Sequence, residues 1–142
     1  MKSNKISDKY FVSPQIQETD IRAIADAGFS KVICNRPNNE VSSAFHSDVM
    51  STAAQAAMID FDFLPFTALT LKPETVKKQG KLIEESKGPV IAYCESGTRC
   101  ALIWAFLQAG KMPIDKILEA TNNAGYNLEG LRGILSDQQK KF

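Results

Sequence analysis

GPVIAYCESGTRCALIWAFLQAG, Gly88 to Gly110, changes its apolar period in mid-stretch. Val90, Ile91, Ala92 and Tyr93 are a short, partly β-branched run that starts sharply after Gly88 and Pro89, the pattern of a buried strand. From Ala101 the apolar residues return at helical spacing (Leu102, Ala105, Phe106, Ala109) until Gly110, which suits a C′ position. Cys94 therefore stands between a strand and a helix, beneath free N–H groups and a macrodipole that favour negative charge. A thiolate is stabilised there, and so is an anion bound above it, which is how a cysteine becomes a nucleophile.

The five residues after Cys94 supply the rest of an anion cradle. Gly97 can take a positive φ, so the Glu95-Ser96-Gly97-Thr98 backbone can curl into a nest of N–H groups. Arg99 closes the ring as a fixed cation able to grip two oxygens, and Ser96 and Thr98 add hydroxyls. A buried free cysteine is most often only a small hydrophobe, but here a glycine, an arginine and a strand-to-helix junction accompany it.

Working outward, the chain alternates strand and helix patterns. Strands are expected at Lys9–Val12, Phe29–Cys34, Phe61–Phe66 and Val90–Tyr93. Helices are expected around Ile21–Ala25 (Thr19 or a neighbour as cap, Gly28 as stop), Val49–Ala57 (Ser43 or Ser47 as cap), Pro73–Ile83, Ala101–Ala109, Ile114–Leu118 ending near Gly125, and Leu128–Leu135. Asn35 to about Ser47 reads as irregular. This order implies a three-layer α/β/α domain over residues 1–142, with a mostly parallel central sheet of four to five strands. Ligands bind such sheets beyond the carboxyl ends of the strands, where Cys94–Arg99, Cys34–Arg36 and Phe66–Thr70 would face one another.

Composition removes several function classes. A net charge of +1 over 142 residues, with no basic cluster beyond Lys140 and Lys141, leaves no footprint for nucleic acid or an anionic membrane. No apolar run approaches a membrane span, and Met1–Asp8 lacks the apolar core of a signal peptide, so a cytoplasmic protein is expected. Three cysteines (Cys34, Cys94, Cys100) and one histidine (His46) suit neither a disulfide scaffold nor a zinc site, so no cofactor or metal is expected.

The loop resembles the Cys-to-Arg anion loops of protein tyrosine phosphatases and of rhodanese sulfurtransferases. Ser13-Pro14-Gln15 after the first strand, Asn35-Arg36-Pro37 after the second and Ala124-Gly125-Tyr126 near the end resemble the β-lactamase-hydrolase-like protein, phosphatase-like domain family. That resemblance implies a fold like that of the protein tyrosine phosphatases. Some members of the family are labelled sulfur transferases or are fused to sulfide-oxidising enzymes.

The loop departs from the phosphatase pattern in ways that favour sulfur. Phosphatases of this fold carry Cys-x5-Arg, whereas Arg99 follows Cys94 after four residues, the rhodanese spacing. Tyr93 replaces a histidine, Cys100 replaces a Ser or Thr, and Phe66–Pro73 lacks the Asp that would protonate a leaving oxygen, a step worth ~10²- to 10⁴-fold. The expected activity is sulfur transfer from thiosulfate or glutathione persulfide, through a Cys94 persulfide, to a thiol or cyanide acceptor, with sulfide-oxidation enzymes as a possible partner. Two alternatives stay open: a cysteine-dependent phosphatase and a non-catalytic anion-binding module. Cys94 and Arg99 are the catalytic candidates, with Glu95, Ser96, Gly97, Thr98 and Arg36 as anion ligands. Cys34 and Trp104 read as packing residues, His46 as a surface or capping residue, and Glu74 as a helix-start acid.

Overall fold

The computed structural model describes residues 3–139, so Lys140 and Lys141 lie outside the described residues. Its strands are β1 (Asn4–Lys5), β2 (Tyr10–Ser13), β3 (Lys31–Cys34), β4 (Asp60–Phe63) and β5 (Val90–Tyr93), and they form one sheet in the order β1-β2-β5-β3-β4. β2, β5, β3 and β4 pair in parallel, with Tyr93 opposite both Ser13 and Cys34, so the carboxyl ends of the three central strands reach one level. All residues of β3 and β5 are buried, as near-continuous apolar runs must be when helices cover both faces.

The helices are α1 (Asp20–Asp26), α2 (Ser47–Ala56), α3 (Pro73–Glu85), α4 (Thr98–Gln108), α5 (Ile114–Asn123) and α6 (Arg132–Gln139). Side-chain alternation in the strands divides the core between two layers. Val32, Cys34, Ile91 and Tyr93 pack with Ile21 and Ile24 of α1 and Met50 and Ala54 of α2. Val12, Ile33, Val90 and Ala92 pack on the other face with Trp104 of α4, Ile117 of α5 and Leu135 of α6. α4 runs through the middle of that second layer, and Cys100, Ala101, Ile103, Trp104 and Ala105 are all buried, which is why its sequence is apolar on every side.

Four local expectations change. Asn4–Lys5 adds an antiparallel edge strand through backbone pairing of Asn4 with Val12, and two polar residues give no apolar signal for it. β4 ends at Phe63, because Leu64 and Phe66 give their N–H groups to the Cys34 and Asn35 carbonyls while Pro65 has none to give. The stretch after Leu128 is a 3-10 turn (Glu129–Leu131) before α6 rather than one helix. α2 takes His46 as its N-cap residue, with Ser47 as the first helical residue.

Candidate active site

Cys94 leaves β5 at its carboxyl end, its N–H bonded to the Ser13 carbonyl at 3.3 Å. Gly97 is the N-cap of α4 with φ 97°, and its N–H donates to Cys94 Sγ at 3.1 Å. The positive φ turns the loop back over the sulfur, and a Cβ at Gly97 would collide with the Tyr126 hydroxyl, so glycine is required twice over. The Cys94 thiol is lowered to about 5, chiefly by donation from the Cys100 thiol. The backbone N–H groups of Cys100, Gly97 and Arg99 act in the same direction, against burial. Cys100, wholly buried, is itself pushed up, first by burial and then by the Cys94 thiolate. One member of the pair is thus an anion at neutral pH and the other its neutral donor.

Arg99 leans across the mouth to a residue 59 positions away. Its Nη1 and Nη2 hold Glu40 Oε2 and Oε1 at 2.9 and 2.6 Å, and Nη1 also donates to the Phe66 carbonyl at 3.1 Å. These bonds occupy the end of the guanidinium. The side fork of Nε–H and the second Nη2–H makes no bond to another described residue, and a fork of that shape matches two oxygens of an oxyanion. Glu40 lies in a 3-10 turn, Asn38–Glu40, and its carboxyl is held below the usual carboxylate range, foremost by the Arg99 hydrogen bond and further by Arg36. It is a fixed anion, not a proton donor.

Arg36 sits behind Glu40. Its Nε bonds Glu40 Oε1 at 3.3 Å, Nη1 bonds Gln15 Oε1 at 3.2 Å, and Nη2 reaches the Glu40 carbonyl at 3.4 Å and Glu95 Oε2 at 3.6 Å. The guanidinium expected as a second anion ligand is thus directed at protein oxygens. Glu95 points outward. Ser96 and Thr98, both exposed, bond to each other at 2.9 Å rather than to the sulfur.

A buried polar chain fixes the walls. Tyr10 Oη donates to the Cys100 carbonyl at 2.8 Å and accepts from Gln79 Nε2 at 3.2 Å, and Gln79 pairs with the Asn35 amide through two 3.0 Å bonds. Asn35 Nδ2 also donates to the Leu64 carbonyl, and the Asn35 carbonyl accepts from Phe66, whose own carbonyl holds Arg99. On the opposite side Tyr126 donates to the Ser96 carbonyl at 3.1 Å and accepts from Asn4 Nδ2 at 3.0 Å. The Ser-Pro-Gln, Asn-Arg-Pro and Ala-Gly-Tyr segments therefore meet at the Cys94 loop.

Sequence reasoning missed Glu40, Gln79, Gln15 and Tyr126 as supports of the site. Only the last two carried a signal, as parts of those tripeptides. Cys34 is core, its thiol pushed up by burial and bonded to the Arg36 carbonyl at 3.4 Å. Trp104 is buried in packing, and Glu74 is in the first turn of α3. A groove of about 510 Å³ between α3 and α4 is lined by Val76, Gly80, Phe106 and Leu107 among others, and includes no residue of the Cys94 loop. It offers apolar surface but no nucleophile.

The low thiol value makes a direct prediction. Alkylation of Cys94 by iodoacetamide, followed by mass spectrometry, should proceed at full rate at neutral pH and fall only as pH drops through about 5, because the thiolate is the reactive form. A midpoint near the usual thiol value of about 8.5 would contradict the geometry at Gly97 and Cys100.

Residues 4–111 match the model of the family described as beta-lactamase hydrolase-like protein, phosphatase-like domain. The beta-lactamase hydrolase-like protein of Agrobacterium fabrum is 25% identical over 130 residues, covering 90% of this chain and 30% of that protein. The chain thus spans less than a third of the length of the curated relatives it matches. A candidate phosphatase from Neisseria meningitidis Z2491 is 34% identical, with a TM-score of 0.85 over 95% of this chain and 96% of that one. The active form of Tk-PTP, 14% identical with a TM-score of 0.74 over 98% and 96% of the two chains, shares the fold alone. The fold is that of the protein-tyrosine-phosphatase-like proteins.

Proposed function

The chain belongs to the β-lactamase hydrolase-like protein, phosphatase-like domain family, and on that premise we propose that it is a cysteine-dependent phosphatase of small phosphate monoesters. The observation that carries this reading is the Cys94 thiolate lying at the α4 N-terminus on the same short loop as Arg99, whose side fork is free. Cys94 Sγ attacks phosphorus; the S–P bond forms as the bond to the leaving oxygen breaks. Charge on the non-bridging oxygens is met by loop N–H groups and by Arg99 Nε and Nη2. Water then attacks the cysteinyl phosphate, releasing inorganic phosphate and returning the thiolate, to which the Cys100 thiol donates.

The leaving oxygen finds no carboxylic acid in residues 66–72, and Glu40 is held ionised between two guanidiniums. Substrates whose leaving groups are stable anions, such as aryl phosphates, are therefore favoured. Three free buried thiols support a reducing, cytoplasmic setting. No helix among the described residues is long and apolar enough to cross a membrane.

The missing proton donor also favours a second reading, sulfur transfer through a Cys94 persulfide, for which sulfite or glutathione leaves without a proton. The four-residue spacing to Arg99 belongs with that reading, whereas the resemblance to phosphatases across most of the chain supports hydrolysis. One paired measurement separates them: hydrolysis of 4-nitrophenyl phosphate, and intact mass after thiosulfate. Cys94-dependent hydrolysis with a trapped phosphoenzyme is expected. A protein one sulfur heavier and inert toward the phosphate would replace phosphatase by sulfurtransferase.

A further inference from the structure

The charges at the mouth cancel. Two guanidiniums, Arg36 and Arg99, face two carboxylates, Glu40 and Glu95, and the cations lie deeper. The Arg36 and Arg99 side chains are 15% and 16% exposed, against 27% for Glu40 and 70% for Glu95. Every nitrogen of Arg36 faces an oxygen of Gln15, Glu40 or Glu95, so it offers a second anion no free fork. The free guanidinium donors at the mouth reduce to one fork, Nε and Nη2 of Arg99, which matches one oxyanion. Glu95, in the Cys94–Arg99 loop, is held at the rim of the mouth beside Arg36, because its carbonyl accepts the Gln15 N–H at 3.1 Å and its exposed carboxylate lies 3.6 Å from Arg36 Nη2.

From this arrangement we infer that the site takes substrates with a single anionic group on a neutral or cationic body, and that Glu95, backed by Glu40, determines this specificity by repelling polyanions. The inference rests on the phosphatase reading and names its substrate class. A second phosphate on the same substrate meets a carboxylate where a polyanion-binding site would present a cation. Discrimination of this kind comes from the repulsive element as much as from the attractive one.

The test uses equilibrium binding to the full chain carrying Cys94→Ser, which cannot turn over. Calorimetry with inorganic phosphate and with tripolyphosphate is expected to give the tighter constant for phosphate. Adding Glu95→Gln, an exposed and nearly isosteric change, should shift the ratio toward tripolyphosphate by about fivefold, the scale of one close unit-charge interaction in water. Raising the ionic strength should shrink the discrimination of the parent, since the repulsion is solvent-screened. Tighter binding of tripolyphosphate to the parent, or a ratio unmoved by Glu95→Gln, overturns the inference and leaves the phosphatase reading standing. Binding of neither anion overturns both.

Discussion

Cys94→Ser should lower hydrolysis of 4-nitrophenyl phosphate by about 10⁴-fold or more, the scale on which a covalent catalyst loses activity with its nucleophile. The physical reason is the difference between a thiolate and a hydroxyl in the same nest. Donation from the Cys100 thiol and from the Cys100, Gly97 and Arg99 N–H groups brings the Cys94 thiol to about 5. A serine hydroxyl starts so much higher that the same donors leave it neutral. Cys94 is buried at a strand end and the change removes little volume, so the circular dichroism spectrum should match the parent. Residual turnover within tenfold of the parent would mean that the chemistry occurs elsewhere on the molecule.

Arg99→Lys should cost about 10²- to 10³-fold in kcat, the range for removal of a preorganised donor to a transition-state oxyanion. Lysine keeps the charge but not the geometry. Arg99 uses the end of its planar group on Glu40 and the Phe66 carbonyl, and in the proposed reaction its free side fork serves the oxyanion. An ammonium is a point charge that serves one direction at a time, and beside Glu40 it will turn to the carboxylate. Glu40→Gln in the same assay separates holding from binding. It leaves one acceptor for the guanidinium and removes the anion while keeping Arg99 and its free fork, so its loss should be smaller than that of Arg99→Lys. Equal losses would make the Arg99–Glu40 bond, rather than the free fork, the feature that matters.

The difference between the activity expected from spacing and the one the family supports has a local origin. Counting from Cys94 to Arg99 measures only the length of the loop, and that length is the rhodanese spacing. The folded loop directs the Gly97, Arg99 and Cys100 N–H groups at the thiolate, and the side fork of Arg99 makes no bond to another described residue, neither of which is visible in that count. Cys100, which in the sequence only follows Arg99 where a Ser or Thr is usual, is both packed and the principal donor to the nucleophile. Helical periodicity places it on the core side but does not say that Cys94 is there to meet it.

What the sequence determined by itself is the part governed by near neighbours. The apolar run Val90–Tyr93, the glycine at 97 and the helical repeat from Ala101 prescribe strand, turn and helix, and so put a cysteine under a helix N-terminus whatever surrounds it. The alternation of such units likewise prescribes a parallel sheet between two helical layers. Only the tertiary structure decided which distant groups complete the site. Glu40 reaches Arg99 across 59 positions, Gln79 reaches Tyr10 across 69, and Tyr126 reaches Ser96 across 30. None of the three has its contact written in a local pattern: the near partner of Glu40 is Arg36, not Arg99, and the Ala-Gly-Tyr tripeptide does not name Ser96. Each is a single polar side chain whose contact exists because the sheet order β2-β5-β3 brings three strand ends to one level and the helices then close over them.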